Sequence, residues 1–269
     1  MKAPRLAATV MLARPAARGF EVYMTRRSGS SAFAADAFVF PGGALEPQDF
    51  LPQTAARIVG LEPDRVAAQL RARVHEELPS TEPAVDSEAA SALFAAALRE
   101  VFEESGILLA RTAGGDAVAA AEIASSDVHD ARSAIASGAL SFASFLHGRN
   151  WYADARALTL FSHWITPPNE NRRFNTHFFF ALAPPGQAGL ADAIETHEGL
   201  WIAPREALER YRAGTFRLVY PTIKHLERLS PFQSLDEAHA FAREKPVLTI
   251  LPATGSGGFA IPPSLEDAW

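Results

Sequence analysis

Cysteine is absent from the 269 residues. That excludes disulfide staples, thiolate metal sites and a cysteine nucleophile, and leaves His, Asp and Glu as the side chains able to hold a metal ion. A reducing compartment is permitted. Basic charge is in deficit, with 25 Lys and Arg against 31 Asp and Glu and a formal net charge of −6, so a protein that coats nucleic acid is not expected. Long apolar runs are missing too. The N-terminal stretch MKAPRLAATVMLARPAARGF is interrupted at Arg14 and Pro15, too early to span a bilayer and without a small-residue cleavage site beyond it. No membrane association is expected, and the cytosol is the default location. No internal repeat is visible, and alanine enrichment is the one compositional bias.

With 48% hydrophobic residues, the chain can bury the core of one α/β domain spanning 1–269. RLAATVMLA (5–13) and FEVYMTRRS (20–28) read as a strand hairpin, and AFVFPGG as a third strand that stops at Pro41. Residues 54–78 carry helical spacing broken near Gly60 and Pro63, within an insertion taken as 50–86, and the polar stretch 79–88 reads as a linker. Ser87 is the expected N-cap of a helix that ends at Gly106. Residues 115–148 read as helical, ARALTLFSHWITP and RRFNTHFFFALAP as strands, and HEGLWIAPREALERYRAGTF as a strand leading into a helix. Two short helices follow, the second capped by Ser234 or Asp236, then a strand and a loose Gly/Pro-rich tail.

The sharpest chemical signal sits at the end of the long helix, in ALREVFEESGILL. At about 100° per residue, Glu100, Glu103 and Glu104 share roughly a third of the circumference. Like charges at this spacing repel, and acids in a last turn oppose the helix dipole, so a helix selected for stability alone would carry Lys or Arg there. A solvated acidic face is the ordinary reading of a Glu pair, but this placement argues against it. A divalent cation reverses both penalties, and Mg²⁺, a hard ion that prefers oxygen, suits a row of glutamates. Arg99 reads as an ion-pair partner that orients a glutamate or the preceding loop.

PGGALEPQD together with REVFEESGI resembles the two halves of the Nudix box, G-x5-E-x7-R-E-U-x-E-E-x-G-U, where U is aliphatic. The second half is complete from Arg99 to Ile107. In the first half, counting from Gly43 lands on Asp49 where the family has Glu, which shortens the reach of the carboxylate. The expected seven-residue spacer is replaced by Phe50 to Leu98. Both halves can still meet at one site, because loop closure grows costlier only slowly with length. Such a split box resembles the coenzyme A diphosphatase subgroup, related to peroxisomal enzymes. MTRRSGSSAFAADAFVFPGG, FSHWITPPNENRRFNTHFFFALAP and EGLWIAPREAL extend the similarity over roughly residues 5 to 230.

The resemblance implies a Nudix fold: an α/β/α sandwich with a mixed sheet, a helical insertion and a helical C-terminal extension over 204–269. It also implies metal-dependent hydrolysis of a diphosphate bond in a small-molecule substrate, coenzyme A or an acyl derivative. The products would be 3′,5′-ADP and 4′-phosphopantetheine species. Glu100, Glu103 and Glu104 are then the candidate ligands of Mg²⁺ or Mn²⁺. Gly42 and Gly43 let backbone approach the site. Arg26, Arg27, Arg172 and Arg173 are candidate phosphate contacts, although surface arginines commonly serve only solvation. Glu170, Glu195 and Glu198 are candidates for the general base, with Glu198 ahead. His177 and His197, Trp164 and Trp201, and Phe178 to Phe180 fit either substrate contact or ordinary packing. A homodimer stays open. The ending SLEDAW differs from an S-K-L-type address, so peroxisomal import has no sequence support. Two rivals are a Nudix hydrolase of ADP-ribose or nucleotide sugars and a non-catalytic ligand-binding protein on the same fold.

Overall fold

A computed structural model describes residues 3–27, 36–71, 85–189, 199–255 and 258–269. The chain opens with β1 (Arg5–Pro15) and β2 (Phe20–Arg26), followed by the short β3 (Phe38–Val39) and β4 (Gly42–Ala44). The insertion contributes α1 (Pro52–Ala55), β5 (Ile58–Val59) and α2 (Pro63–Arg71) before the long helix α3 (Ser87–Ser105). Next come β6 (Ala110–Thr112), α4 (Ala120–Ile123), α5 (Ser126–Ala136), α6 (Phe142–Arg149) and β7 (Trp151–Asp154). β8 (Leu158–Ile165), β9 (Phe174–Leu182) and β10 (Gly199–Ile202) complete most of the main sheet. The remainder is α7 (Pro204–Arg212), α8 (Tyr220–Leu229), α9 (Leu235–Glu244), β11 (Thr249–Ile250) and a hairpin of β12 (Ala253–Gly255) and β13 (Gly258–Ala260).

The main sheet runs β10-β2-β1-β9-β8-β11, with β3 on β2 and β4 on β1. It is mixed: β1 pairs parallel to β9 and β11 parallel to β8, while the other pairings are antiparallel. Because side chains alternate along a strand, β1 sends Ala8, Val10 and Leu12 into one core and Met11 and Ala13 into another. β9 divides in the same way, with Phe179 on the first side and Phe178 and Phe180 on the second. Each fully buried side chain of this size stabilises the fold by about 1.5–3 kcal/mol. Helix α3 packs its Leu93, Phe94, Val101 and Phe102 into the first core. Leu208 of α7, Leu226 and Leu229 of α8 and Ala242 of α9 cover the second. The architecture is an α/β/α sandwich, and the segment expected as a C-terminal extension supplies its second helical layer.

Some local expectations are corrected, while the Gly106 stop and the Ser234 cap stand. The N-cap of α3 is Asp86, whose side chain accepts from the Ala89 amide at 2.8 Å, one residue ahead of Ser87. The C-terminal stop is Gly106, in the left-handed region at φ 69°, which glycine adopts without a Cβ penalty. The third strand splits in two, because Pro41 breaks the pairing with β2 and the following glycines pair with β1 instead. The described part of the insertion is not purely helical: β5 joins β6 and β7 in a separate three-stranded sheet. The last terminal helix is capped by Ser234, which accepts from the Glu237 amide.

Candidate active site

The Pro-Gly-Gly turn makes two close approaches that only glycine allows, one to β1 and one to the end of α3. A Cβ at Gly42 would lie 2.4 Å from the Ala8 carbonyl oxygen and 2.6 Å from the Thr9 Cα, because β4 presses directly on β1 there. A Cβ at Gly43 would lie 2.2 Å from the Glu100 Oε1. The amide of Gly42 donates to the Glu104 Oε2 at 3.1 Å. Glycine at these positions therefore brings bare backbone up to two helix carboxylates.

Asp49 joins the box halves across the insertion. A 3-10 turn, Pro47–Phe50, carries it into the protein, where it is buried and accepts from the Glu46 amide at 2.8 Å. The guanidinium of Arg99 grips it with two bonds, Nε to Oδ1 and Nη2 to Oδ2, both 3.0 Å. Its third nitrogen, Nη1, donates to the Glu100 Oε1 at 3.0 Å and the Glu103 Oε1 at 3.2 Å. Bidentate pairing fixes direction as well as distance. The shorter Asp reaches because the turn brings its backbone close. Arg99 is fully engaged with these three carboxylates, as an orienting ion pair.

Around Arg99 the acids are in excess. Burial pushes Glu100 up to about 8, against the lowering effect of Arg99 and with Glu104 and Glu103 adding to the rise. Glu104 is pushed up to about 7, again by burial first, although the Gly42 amide, Arg27 and Thr25 hold it down. Glu103 is raised for the same leading reason. Glu103 and Glu104 are enclosed by protein yet keep a partly exposed edge. Buried like charges with too few counterions are costly, and a divalent cation offsets that cost. As the side chains stand, turned toward Arg99 and Gly42, no three His, Asp or Glu among the described residues are grouped to enclose an ion. Their hard oxygen donors and surplus negative charge nonetheless fit a divalent metal.

Other candidates fall elsewhere. Arg26 pairs with Asp36 at 3.3 Å, whereas Arg27 is the one whose charge reaches Glu104. Arg172 and Arg173 occupy the turn between β8 and β9, where the Arg173 Nε donates to the Thr166 carbonyl at 3.0 Å. Glu170 is exposed in the same turn, and Glu195, His197 and Glu198 lie outside the described residues. His177 is buried and stacked on His163, with ring centroids 4.2 Å apart. Trp164 is core, edge-on to Trp269, while the half-buried Trp201 carries the Arg14 guanidinium 4.3 Å over its ring. Thr25 and Arg132, both close to the acids, were not singled out in the sequence. Arg132 had left a signal: it falls in the apolar stripe Val128, Arg132, Ile135 of α5.

A mixed sheet between helical layers, with a glycine turn docked on an acid-ended helix, defines a Nudix hydrolase fold. A solved Nudix hydrolase from Alicyclobacillus acidocaldarius superposes with a TM-score of 0.65 at 27% identity, covering 89% of this chain and 97% of that one. The sequence model of the NUDT19 Nudix domain matches residues 4–229, and the chain belongs to that family. Among relatives, the acyl-coenzyme A diphosphatase NUDT19 of Gallus gallus is 30% identical over 253 residues, 84% of this chain and 65% of that protein. Its Homo sapiens counterpart is 28% identical over 252 residues, again 84% and 65%. The chain thus spans 65% of the length of these two relatives.

Proposed function

We propose that the protein is a metal-dependent diphosphatase that hydrolyses coenzyme A or acyl-coenzyme A to 3′,5′-ADP and 4′-phosphopantetheine or its acyl form. The observation that carries this reading is the buried surplus of carboxylate at Glu100, Glu103 and Glu104, set against the Gly42-Gly43 turn. The substrate class is supported by the acyl-coenzyme A diphosphatases among its relatives.

In the reaction, water adds to one phosphorus, the bridging P–O bond breaks, and each product leaves with one phosphate while a proton is released. Glu100, Glu103 and Glu104 would hold Mg²⁺ or Mn²⁺, which would neutralise the diphosphate oxygens and make a bound water more acidic. The chain's own part is positional. Arg99 keeps Glu100 and Glu103 from swinging apart while Asp49 holds Arg99 in place. The Gly42 amide orients Glu104. Arg27, close enough to lower Glu104, suits the charge of a phosphate. Arg26, Arg172 and Arg173 stay as outer contacts of a long, anionic substrate. Glu198 is the proposed base, on the resemblance of HEGLWI to the family segment that carries an acid shortly before an aromatic strand.

The test is mass-spectrometric product analysis with Mg²⁺ and a panel of coenzyme A, acyl-coenzyme A, ADP-ribose and nucleotide sugars. Phosphopantetheine species released by the native protein, but not by Glu104→Gln, are expected. Preferential cleavage of ADP-ribose or a nucleotide sugar would replace the substrate assignment. No metal-dependent turnover of any panel member would favour a ligand-binding protein.

A further inference from the structure

Helix α5 presents Val128, Arg132 and Ile135 to the interior, and all three are buried. An arginine in an apolar stripe is expensive to bury, and Leu at that position would pack without the cost. One nitrogen of the Arg132 guanidinium reaches the end of α3: Nη1 donates to the main-chain carbonyl of Glu103 at 2.8 Å. That carbonyl lies in the last turn, where helix carbonyls lack intrahelical donors. The amide that would ordinarily close on it, Ile107, bonds the Ser105 Oγ instead at 3.1 Å. Gly106 closes on the Phe102 carbonyl and the Ser105 hydroxyl on that of Val101. Arg132 thus serves a last-turn carbonyl that belongs to a candidate metal ligand, Glu103.

A second observation places the same guanidinium beside the site. The Tyr23 hydroxyl is pushed up to about 12 chiefly by burial, with Arg132 lowering it and Glu104 raising it, so the three groups lie within electrostatic reach. We propose that Arg132 is a positioning residue: delivered by a helix outside the Nudix box, it pins the last turn of α3 so that Glu103 and Glu104 face the substrate in fixed directions. The inference rests on the metal-site reading above. It assigns a role to a helix that lies outside the Nudix box.

The experiment compares the whole protein with Arg132→Met, Arg132→Lys and Arg132→Gln, measuring Mn²⁺ binding by calorimetry, melting temperature, and kcat and KM for acyl-coenzyme A. Loss of an outer partner of a metal ligand typically weakens metal affinity by roughly 10–100-fold. Expected for Arg132→Met are Mn²⁺ binding weaker by about tenfold or more, a comparable loss in kcat and an almost unchanged KM. Lys, which retains a donor and the charge, should recover most of it. Gln, which fills the slot but falls short of the carbonyl, should not. Lys and Gln decide the question even if the Met variant fails to fold. Mn²⁺ affinities within about twofold of native in the Met or Gln variant, or a Lys variant as defective as Gln, would overturn the role of Arg132. A native protein that binds no Mn²⁺ would overturn both this role and the metal reading beneath it, which separates the two failures.

Discussion

The two faces of the main sheet treat buried polarity in opposite ways. On the face covered by α7, α8 and α9, the buried His225 and Lys245 each have complementary neighbours. His225 lies between the Ser162 hydroxyl and the Pro221 carbonyl, each 2.6 Å away, and stacks on Phe178. The Lys245 ammonium donates to the carbonyls of Phe161 and Pro246. At the end of α3, on the other face, Asp49, Glu100 and Glu103 crowd around Arg99, Glu104 is held by the Gly42 amide, and burial raises all three glutamates. The first face is arranged for stability. The second keeps three glutamates whose burial disfavours their charged form.

Breaking the working face should cost activity before it costs stability. Glu104→Gln or Glu103→Gln is expected to lower kcat by roughly 10²–10³-fold, while the metal-free protein melts no lower than native, since a repelling charge is gone. Product release and calorimetric melting separate the two effects. Arg99→Met is the opposite case. It leaves Asp49 and Glu100 buried without their counterion and should destabilise by about 3–5 kcal/mol, read from urea unfolding. Gly43→Ala should cost about 1–3 kcal/mol by overpacking and also depress kcat, because its Cβ needs the space of the Glu100 carboxylate.

On the stable face, Ser162→Ala removes the partner of the His225 Nε2 and should cost about 1–3 kcal/mol with kcat unchanged. A pH titration sharpens the comparison with the smallest effect. Glu100 and Glu104 sit near 8 and 7 in the folded chain, above the ordinary 4.5, so the fold takes up protons that the unfolded chain does not. Their stabilising contribution is full below pH 4.5 and is lost as pH rises toward 8. The metal-free melting temperature should therefore decline across that window, and saturating Mg²⁺ should flatten the slope. An equal slope with and without Mg²⁺ would count against the acids as its ligands.

Legibility followed the range of the interactions. The acid face of α3 was readable because three glutamates within one and a half turns share a side by helical geometry alone. Its Gly106 stop and the two-sided Phe178–Phe180 run were readable for the same reason. The cap at Asp86 was missed by one residue because Asp86 and Ser87 are both good capping types. β5 and β7 are short strands whose pairing partners lie far along the chain, so local pattern carried little of them. The substitution at Asp49 looked like a weakened contact in sequence, since nothing there shows that a 3-10 turn brings its backbone to Arg99.

By itself, the sequence determined the elements and the charge they carry: alternating strands apolar on both faces, a long helix ending in acid, and a turn rich in glycine. Tertiary structure alone decided which partners meet. It set Gly43 against Glu100, drew Asp49 onto Arg99 across 50 residues, and sent Arg132 from α5 to the Glu103 carbonyl. Backbone periodicity is a property of neighbouring residues, whereas the neutralisation of a buried charge depends on whatever the packed sheet and helices bring within about 3 Å of it.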